Sequence, residues 1–263
     1  MRIWDKIEMA PDTPARCRIG ALNLWMERTR GEWRAAWKHT PGDEAIEDIL
    51  TVDKPGDLEW RRWVTPDDAE TTWLSPAMPD RAVVVRPAVA TQILPGLEAE
   101  FFVSVPVWAR LSLGPNGERA LFEVPTAALS RTWFGDPMAG ELCYDLRTRG
   151  RRSIPAEETL LDRAVCPVRV KNASRAALDF ERLCLPVSHL RIYRAGRQLW
   201  SNATAVTFQG VEHPSDIHYE TGPPRFLTHA ELLCEARTPG ARSFLRRSFS
   251  SLMSMASPAA WAD

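Results

Sequence analysis

Apolar and polar residues alternate along most of the chain, with the side-chain period of two that is typical of strands rather than the period of 3.6 of a helix. From Phe101 to Leu113 every second residue is apolar, and the positions between them include two serines and an arginine. This pattern predicts a long strand with one buried face. Residues 114–117 follow as Gly-Pro-Asn-Gly, whose Asn-Gly step supplies the positive φ angles of a tight turn. Because alternation resumes over 120–124, the two segments are predicted to form a β-hairpin.

An earlier hairpin is predicted over residues 22–37. Leucine, leucine and methionine alternate over 22–26, a turn is indicated at 29–31, and alternation resumes through Trp33 and Trp37. The two tryptophans are also four apart, as on one face of a helix. The glycine in the turn and the alternation before it favour strands.

The remaining pattern is one of short strands separated by prolines. An acidic start followed by Ile46, Ile49 and Leu50 at helical spacing predicts one short helix over 43–50. Further strands are predicted at 58–64, 70–74, 82–94, 165–172, 177–185, 189–194, 197–200, 203–209 and 226–235.

The composition changes over 147–164, where a run of arginines is followed by an acidic segment. We therefore predict a mostly β protein with two β-sandwich-like halves, few short helices and a C-terminal tail. The predicted bounds are 1–150 for an N-terminal β domain and 160–235 for an immunoglobulin-like β-sandwich. The tail, 236–263, is interpreted either as a weakly amphipathic basic helix or as disordered.

Composition places the chain among ordinary globular proteins. It has 263 residues, of which 44% are hydrophobic and 25% are charged, enough for one large domain or two small ones. The 33 basic residues nearly balance the 34 acidic ones, so the formal net charge is -1. This balance gives no overall electrostatic attraction for nucleic acid, which is therefore not a predicted partner.

Neither a secretory signal nor a transmembrane segment is predicted. The first seventeen residues include three acidic residues and lack an apolar core. The longest apolar stretches, around 82–94 and 101–109, are shorter than the roughly 18 residues of a spanning helix. We expect a soluble, cytoplasmic protein.

The cysteines indicate reduced thiols. They are odd in number and widely scattered, with no C-x-x-C pair, and several lie among apolar residues of predicted strands. We therefore predict neither a structural zinc site nor a cofactor. The five are Cys17, Cys143, Cys166, Cys184 and Cys234.

The common nucleotide-binding and hydrolase motifs are missing from the sequence. The densest group of potential ligands lies over 212–220. On a strand, Asp216, His218 and Glu220 would project from one face, and this set suits a divalent metal or acid–base chemistry. A polar loop and a solvated strand face account for the same residues, so the set is a weak candidate site.

A run of arginines offers a second candidate site. Arg147, Arg149, Arg151 and Arg152 lie within six residues, a density suited to binding phosphate or carboxylate. A solvated linker between the two halves explains the run equally simply, because no aromatic residue is interleaved for base stacking.

Tryptophan is abundant, with eleven residues in the chain. Exposed tryptophans on a sheet stack on sugar rings, which makes a carbohydrate-binding module a competing hypothesis. Large aromatic residues also fill β cores and pair across strands, and we expect this role for most of them.

Two pairs of stretches carry a resemblance to a known family. Thr132-Trp133-Phe134-Gly135 followed by Gly140-Glu141-Leu142-Cys143-Tyr144, and Pro167-Val168-Arg169-Val170-Lys171-Asn172 with Arg182-Leu183-Cys184-Leu185-Pro186-Val187, resemble the uncharacterised archaeal and bacterial family DUF432. The resemblance covers residues 15–235 and implies no catalytic residues or cofactor. It implies a partner, because similar proteins are often encoded beside small-conductance mechanosensitive channels. Peripheral attachment at the cytoplasmic face of the inner membrane would fit that partner.

The aromatic residues of the first stretch admit two interpretations. Trp133 and Phe134 precede Gly135 and Pro137, which favours a structural corner at a strand end. An exposed aromatic pair there would instead be a binding surface.

The sequence thus supports a non-enzymatic protein-interaction or accessory protein as the first functional hypothesis. Its binding residues would be Trp133, Phe134 and the arginines, with the tail. The alternatives are a small-ligand- or metal-binding enzyme and a carbohydrate-binding module.

Overall fold

The computed structural model describes residues 3–40, 49–66, 71–138, 140–154, 161–211, 213–240, 242–245 and 249. These residues form 23 strands and one 3₁₀ turn, Val187–His189, and the described ranges contain no α-helix. The predicted mostly β fold class is therefore confirmed. Of the helix predicted over 43–50, residues 43–48 lie outside the described residues, and Leu50 begins a short strand.

The strands, in chain order, have the following bounds: β1 Lys6–Ile7, β2 Ala15–Ile19, β3 Leu22–Thr29, β4 Glu32–His39, β5 Leu50–Thr51, β6 Arg61–Val64, β7 Thr72–Ala77, β8 Val83–Pro87, β9 Thr91–Ile93, β10 Glu98–Pro106, β11 Trp108–Leu113, β12 Arg119–Pro125, β13 Arg131–Phe134, β14 Glu141–Arg151, β15 Arg163–Asn172, β16 Leu178–Phe180, β17 Leu183–Leu185, β18 Ile192–Ala195, β19 Gln198–Ser201, β20 Thr204–Phe208, β21 Ser215–Tyr219, β22 Glu231–Cys234 and β23 Arg242–Leu245.

Four sheets are formed by the described strands. The largest has twelve strands and follows the path β17-β8-β14-β10-β15-β19-β18-β22, with β13 beside β14 and β20, β21 and β23 attached through β15. A five-stranded sheet has the order β5-β2-β3-β4-β6 and a four-stranded sheet the order β1-β7-β11-β12. The smallest pairs β16 with β9.

Both predicted hairpins are confirmed. Strands β3 and β4 pair antiparallel around Gly31, whose φ of 69° lies in the left-handed region. Strands β11 and β12 pair antiparallel around a turn that ends at Gly117, with a φ of 66°. Since both pairings are local, turn chemistry and alternation are sufficient to specify them.

The strand predicted over 100–113 is two strands that belong to different sheets. Its alternating apolar residues are buried as expected, but β10 ends at Pro106 and β11 begins at Trp108. Proline lacks the N–H that would continue a ladder, so the chain leaves one sheet and enters the next at this point. Between the strands, the Val107 N–H donates to the carbonyl of Asp162 over 2.9 Å.

The interpretation of the arginine run as a linker is wrong. Arg147, Arg149 and Arg151 are part of β14, which pairs with β8 on one side and with β13 and β10 on the other. Strand pairing also continues past 150–160, because β10 pairs with both β14 and β15. The division into two domains stays a prediction.

One part of the tail forms a strand, and residues 236–240 before it have no regular secondary structure. Residues 242–245 form β23, antiparallel to β21, and Phe249 forms a bridge to Leu183. The prediction of a helix or disorder is therefore wrong for 242–245, and residues 241, 246–248 and 250–263 lie outside the described residues.

The main core lies against one face of the largest sheet. Tyr144 and Leu146 of β14 and Val83 and Val85 of β8 face this core. The residues between them point to the opposite face, which we call the outer face. Because successive side chains of β14 point to opposite faces, Cys143 lies on the outer face.

Candidate functional site

A small second apolar cluster lies on the outer face of the largest sheet. It is formed by Ala82, Val84, Phe134, Cys143 and Cys184. Strand β8 lies between β14 and β17, and it pairs parallel with the first and antiparallel with the second. The two cysteines therefore meet across β8 although they are 41 positions apart in sequence.

Two thiols and a carboxylate meet in this cluster. The Sγ atoms of Cys143 and Cys184 lie 3.4 Å apart, and the Cys184 Sγ–H donates to Glu141 Oε1 over 3.2 Å. Both cysteines are 0% exposed, whereas Glu141 lies at the exposed rim. We call these three residues the thiol cluster. Among described His, Cys, Asp and Glu residues, it is the one group of three whose ligand atoms all lie within 4.8 Å of one another.

The surroundings of Cys184 favour its protonated thiol. The hydrogen bond with Cys143, burial and the negative charge of Glu141 all raise the pKa of Cys184. Burial alone raises the pKa of Cys17 and of Cys166 to about 12. All five cysteines are buried and unbridged, and their reduced state in the cell stays a prediction.

The aromatic corner, residues 133–140, adjoins the thiol cluster. Phe134 is 3% exposed and packs on the outer face with Cys143, whereas Trp133 is 50% exposed. Adjacent residues of a strand point to opposite faces, so one ring anchors the corner and the other remains at the surface. Phe134 therefore agrees with the structural corner, whereas a binding role for the exposed ring of Trp133 stays a prediction.

Backbone contacts hold the exposed ring of the corner in place. The Trp133 Nε1–H donates to the carbonyl of Asp136 over 2.9 Å, and the Gly140 N–H donates to the same oxygen over 2.7 Å. A Cβ atom at position 140 would lie 2.5 Å from the Phe134 carbonyl oxygen and 2.5 Å from Trp133 Nε1. Only glycine fits there without a shift of the backbone.

Three of the predicted arginines line the outer face of β14. Arg147, Arg149 and Arg151 are exposed at alternate positions, and we call them the arginine strip. Arg147 has a positive φ of 54° at an irregularity in the pairing with β8. Arg152 follows the strand, and its guanidinium lies 5.3 Å from the ring centroid of Phe101.

A neighbouring arginine on β8 is already paired. Arg86 lies opposite Arg149 and donates from both terminal nitrogens to the Asp145 carboxylate over 2.9 Å. This bidentate bond holds the pKa of Asp145 below its usual range. Arg147 and Arg149 form no ion pair with any described residue, so these two members of the arginine strip carry unbalanced positive charge.

The residues Asp216, His218 and Glu220 do not form a three-ligand group. Asp216 and His218 lie on β21 and alternate outward as predicted, with Asp216 half-buried and His218 exposed. Unlike those of the thiol cluster, their ligand atoms do not all lie within 4.8 Å of one another. Glu220 uses its backbone N–H to bind the carbonyl of Ala203 over 2.9 Å.

Most described tryptophans are buried or half-buried. Trp4, Trp25, Trp33, Trp108 and Trp200 belong to the buried set, and Trp133 is the exposed one within the described ranges. A row of exposed rings for stacking on a sugar chain is therefore missing from the described surface.

A saturated ion cluster lies elsewhere in the molecule. Arg110 Nε donates to Glu123 Oε1 over 2.6 Å, and Arg237 also donates to the Glu123 carboxylate. Burial raises the pKa of Glu123, but the hydrogen bond from Arg237 and the charges of both arginines outweigh this effect, so its pKa is lowered overall. Arg237 also donates through Nε to the carbonyl of Met78 over 2.5 Å.

A family model described as "Protein of unknown function (DUF432)" matches residues 3–254, nearly the whole chain. The chain belongs to the DUF432 family. Comparison with curated proteins found no match, and comparison with solved structures found none either. Across the described residues of this DUF432 chain, no helix has the length and apolar character needed to cross a membrane.

Three of the four stretches that carry the DUF432 resemblance converge in the structure, and the fourth, residues 167–172, lies on β15. Trp133-Phe134-Gly135 and Gly140 to Cys143 form the corner and one side of the thiol cluster, and Arg182-Leu183-Cys184 supplies the other side. Sequence reasoning missed this group because it sought cysteines close in sequence. The available signal was that both cysteines lie in the stretches on which the DUF432 resemblance rests.

Proposed function

We propose that this DUF432 chain is a non-enzymatic accessory protein that binds a protein partner through its aromatic corner. The observation that carries the proposal is the half-exposed ring of Trp133, fixed by its hydrogen bond to Asp136. Tryptophan is one of the residue types that are enriched among the side chains contributing most to binding at protein interfaces. Fixing the ring before binding also lowers the entropic cost of association.

Apolar neighbours extend this surface. Leu142 lies directly opposite Trp133 in the pairing of β13 with β14, and it is exposed together with Met138 of the same corner. Contiguous exposed apolar side chains indicate an interaction site more strongly than single ones do.

The arginine strip supports a partner with an acidic surface. Arg147 and Arg149 extend from the same strand as Leu142, so a partner that reaches around this part of β14 would meet both apolar and positive groups. Charge complementarity of this kind speeds association and selects the partner.

A small-conductance mechanosensitive channel is the first partner to test, because the family resemblance implies it. On this proposal the protein is cytoplasmic and lies peripherally at the inner membrane while bound to the channel. Binding is expected to weaken as salt rises, since the arginine strip contributes through screened charges.

The test is affinity purification of the tagged chain from detergent-solubilised native membranes, analysed by mass spectrometry. We expect enrichment of the channel with the natural sequence and loss of the channel with Trp133→Ala. Val64→Ala is the matched control, because Val64 is 91% exposed on the five-stranded sheet. Absence of the channel, or equal recovery with Trp133→Ala, would contradict the proposal.

A further inference from the structure

We propose that Cys143, Cys184 and Glu141 bind a divalent cation of the zinc type, with a fourth coordination position left to water. The inference rests on the thiol cluster alone and does not depend on the partner. It departs from the sequence analysis, which predicted no zinc site because the cysteines are distant in sequence.

The distances in the thiol cluster match a tetrahedral site. With Zn–S bonds of about 2.3 Å, two sulphur ligands lie about 3.8 Å apart, and a sulphur and a carboxylate oxygen lie about 3.6 Å apart. The observed Sγ–Sγ distance is 3.4 Å, and the distance from Cys184 Sγ to Glu141 Oε1 is 3.2 Å. A small outward movement of each ligand atom would therefore admit the cation.

The kinds of ligand atom and their burial also suit this cation. Zinc combines thiolate sulphur with carboxylate oxygen, whereas magnesium and calcium prefer oxygen ligands alone. The sulphur atoms are shielded from solvent, and Glu141 lies at the exposed rim, where a cation can enter. As the cation binds, the two thiol protons leave to solvent.

A nearby arginine can balance the charge of the filled site. Two thiolates and one carboxylate around a divalent cation leave a net charge of -1. Arg182 precedes Cys184 by two positions, and its guanidinium lies 6.0 Å from the ring centroid of Phe134, a member of the same outer cluster. Its buried Nε has no hydrogen-bond partner among the described residues. Positive charge is thus available beside the site.

A disulfide fits these observations less well. Forming its S–S bond of about 2.05 Å would require a larger movement of the sulphur atoms from their 3.4 Å separation than the separation of about 3.8 Å at a zinc ion requires. Cys143 and Cys184 also lie on strands that are separated by β8 rather than on strands paired with each other. A disulfide, moreover, gives the adjacent Glu141 carboxylate no role.

The test is a cobalt titration of the full chain, purified under reducing, anaerobic conditions. Co²⁺ substitutes for zinc and reports sulphur ligands through thiolate charge-transfer absorption and tetrahedral geometry through visible bands. We expect binding of one equivalent with both signatures. Cys143→Ala and Cys184→Ala should abolish the charge-transfer band, whereas Cys166→Ala, a control at an equally buried cysteine, should retain it.

The variant Glu141→Gln keeps the test decisive if the buried cysteine variants fail to fold. Loss of a partner that merely orients a ligand weakens metal binding by about 10–100-fold, so loss of a ligand should cost at least as much. Glu141→Gln should therefore keep the charge-transfer band but bind cobalt at least tenfold more weakly. Absence of a thiolate band in the natural chain, or unchanged affinity in a folded Glu141→Gln variant, would overturn the proposal. Recovery of a Cys143–Cys184 disulfide that binds no cobalt after reduction would overturn it in favour of a redox pair.

Discussion

Two clusters in this protein are built around a carboxylate, and they differ in what faces it. Glu123 receives hydrogen bonds from Arg110 and Arg237, so its charge is balanced within the fold. Glu141 faces two thiols and forms no ion pair with a described residue. A carboxylate whose charge is balanced within the fold is explained by stability alone, whereas a carboxylate that faces two thiols and forms no ion pair with a described residue indicates a binding role.

The largest loss of stability is expected from removing the carboxylate of Glu123, whose charge is balanced by two arginines. Glu123→Gln leaves two half-buried guanidinium groups without their shared carboxylate, and we expect the free energy of unfolding to fall by about 3 kcal/mol. Urea denaturation measures this change. Glu231→Gln is the control, because Glu231 pairs with Arg194 at an exposed position, where ion pairs contribute about 0–1 kcal/mol. Similar small losses in both variants would refute a structural role for Glu123.

The same variant should change how the free energy of unfolding depends on pH in acid. The pKa of Glu123 in the folded protein is lowered from an ordinary 4.5, so the unfolded chain binds more protons in acid. Its contribution is fully present above pH 4.5 and is lost as the pH falls through the folded-state value. The difference in unfolding free energy between the natural chain and Glu123→Gln should therefore shrink below pH 4.5, and a constant difference would contradict this cause.

Adding zinc should raise the free energy of unfolding through the thiol cluster and not through the Glu123 cluster. If the thiol cluster binds zinc, free zinc at about 100 times Kd should raise the free energy of unfolding by about 2.7 kcal/mol. Glu123→Gln should retain this gain, because its site lies in the other cluster. Cys184→Ala should lose the gain. An equal gain in the natural chain and in Cys184→Ala would place the effect elsewhere.

A backbone change at the aromatic corner should have an intermediate effect. A methyl group in Gly140→Ala would collide with the Phe134 carbonyl, so we expect a loss of about 2 kcal/mol and a shift in Trp133 fluorescence. Gly56→Ala is the matched control, since a Cβ there meets nothing within 4 Å, and its stability should stay the same or rise slightly. Equal stability of the two variants would show that the corner adapts without cost.

The sequence predicted those parts of the fold that depend on neighbouring residues. Alternation and a glycine-containing turn are local features, so the hairpins of β3 with β4 and of β11 with β12 were both predicted. The switch between sheets at Pro106 was not predicted, because it depends on which strands lie beside each segment. The arginine run was misjudged for the same reason, since its pairing with β8 joins segments about sixty residues apart in the chain.

The candidate site illustrates the same limit. Trp133 and Phe134 were identified from their sequence, and alternation alone predicts that they point to opposite faces. The meeting of Cys143 and Cys184 requires β8 to insert between β14 and β17, and no local pattern encodes this order. A carboxylate two residues before Cys143 becomes a ligand candidate only once Cys184 is known to lie beside it.

The smallest change in the free energy of unfolding should come from the arginine strip. Arg149, which has no ion pair with a described residue, can be compared with Arg110, which is paired with Glu123. Arg149 is exposed and forms no ion pair with a described residue, so Arg149→Ser should change the free energy of unfolding by less than about 0.5 kcal/mol. Arg110→Ser should cost about 1–2 kcal/mol, because it removes a charged hydrogen bond to Glu123. Urea denaturation of both variants gives the comparison. If Arg149→Ser cost as much as Arg110→Ser, the strip would be part of the folded framework, and its positive charge would no longer support a partner surface. If its cost is negligible, the fold does not require the exposed charge of Arg149, and the proposed partner surface keeps its support.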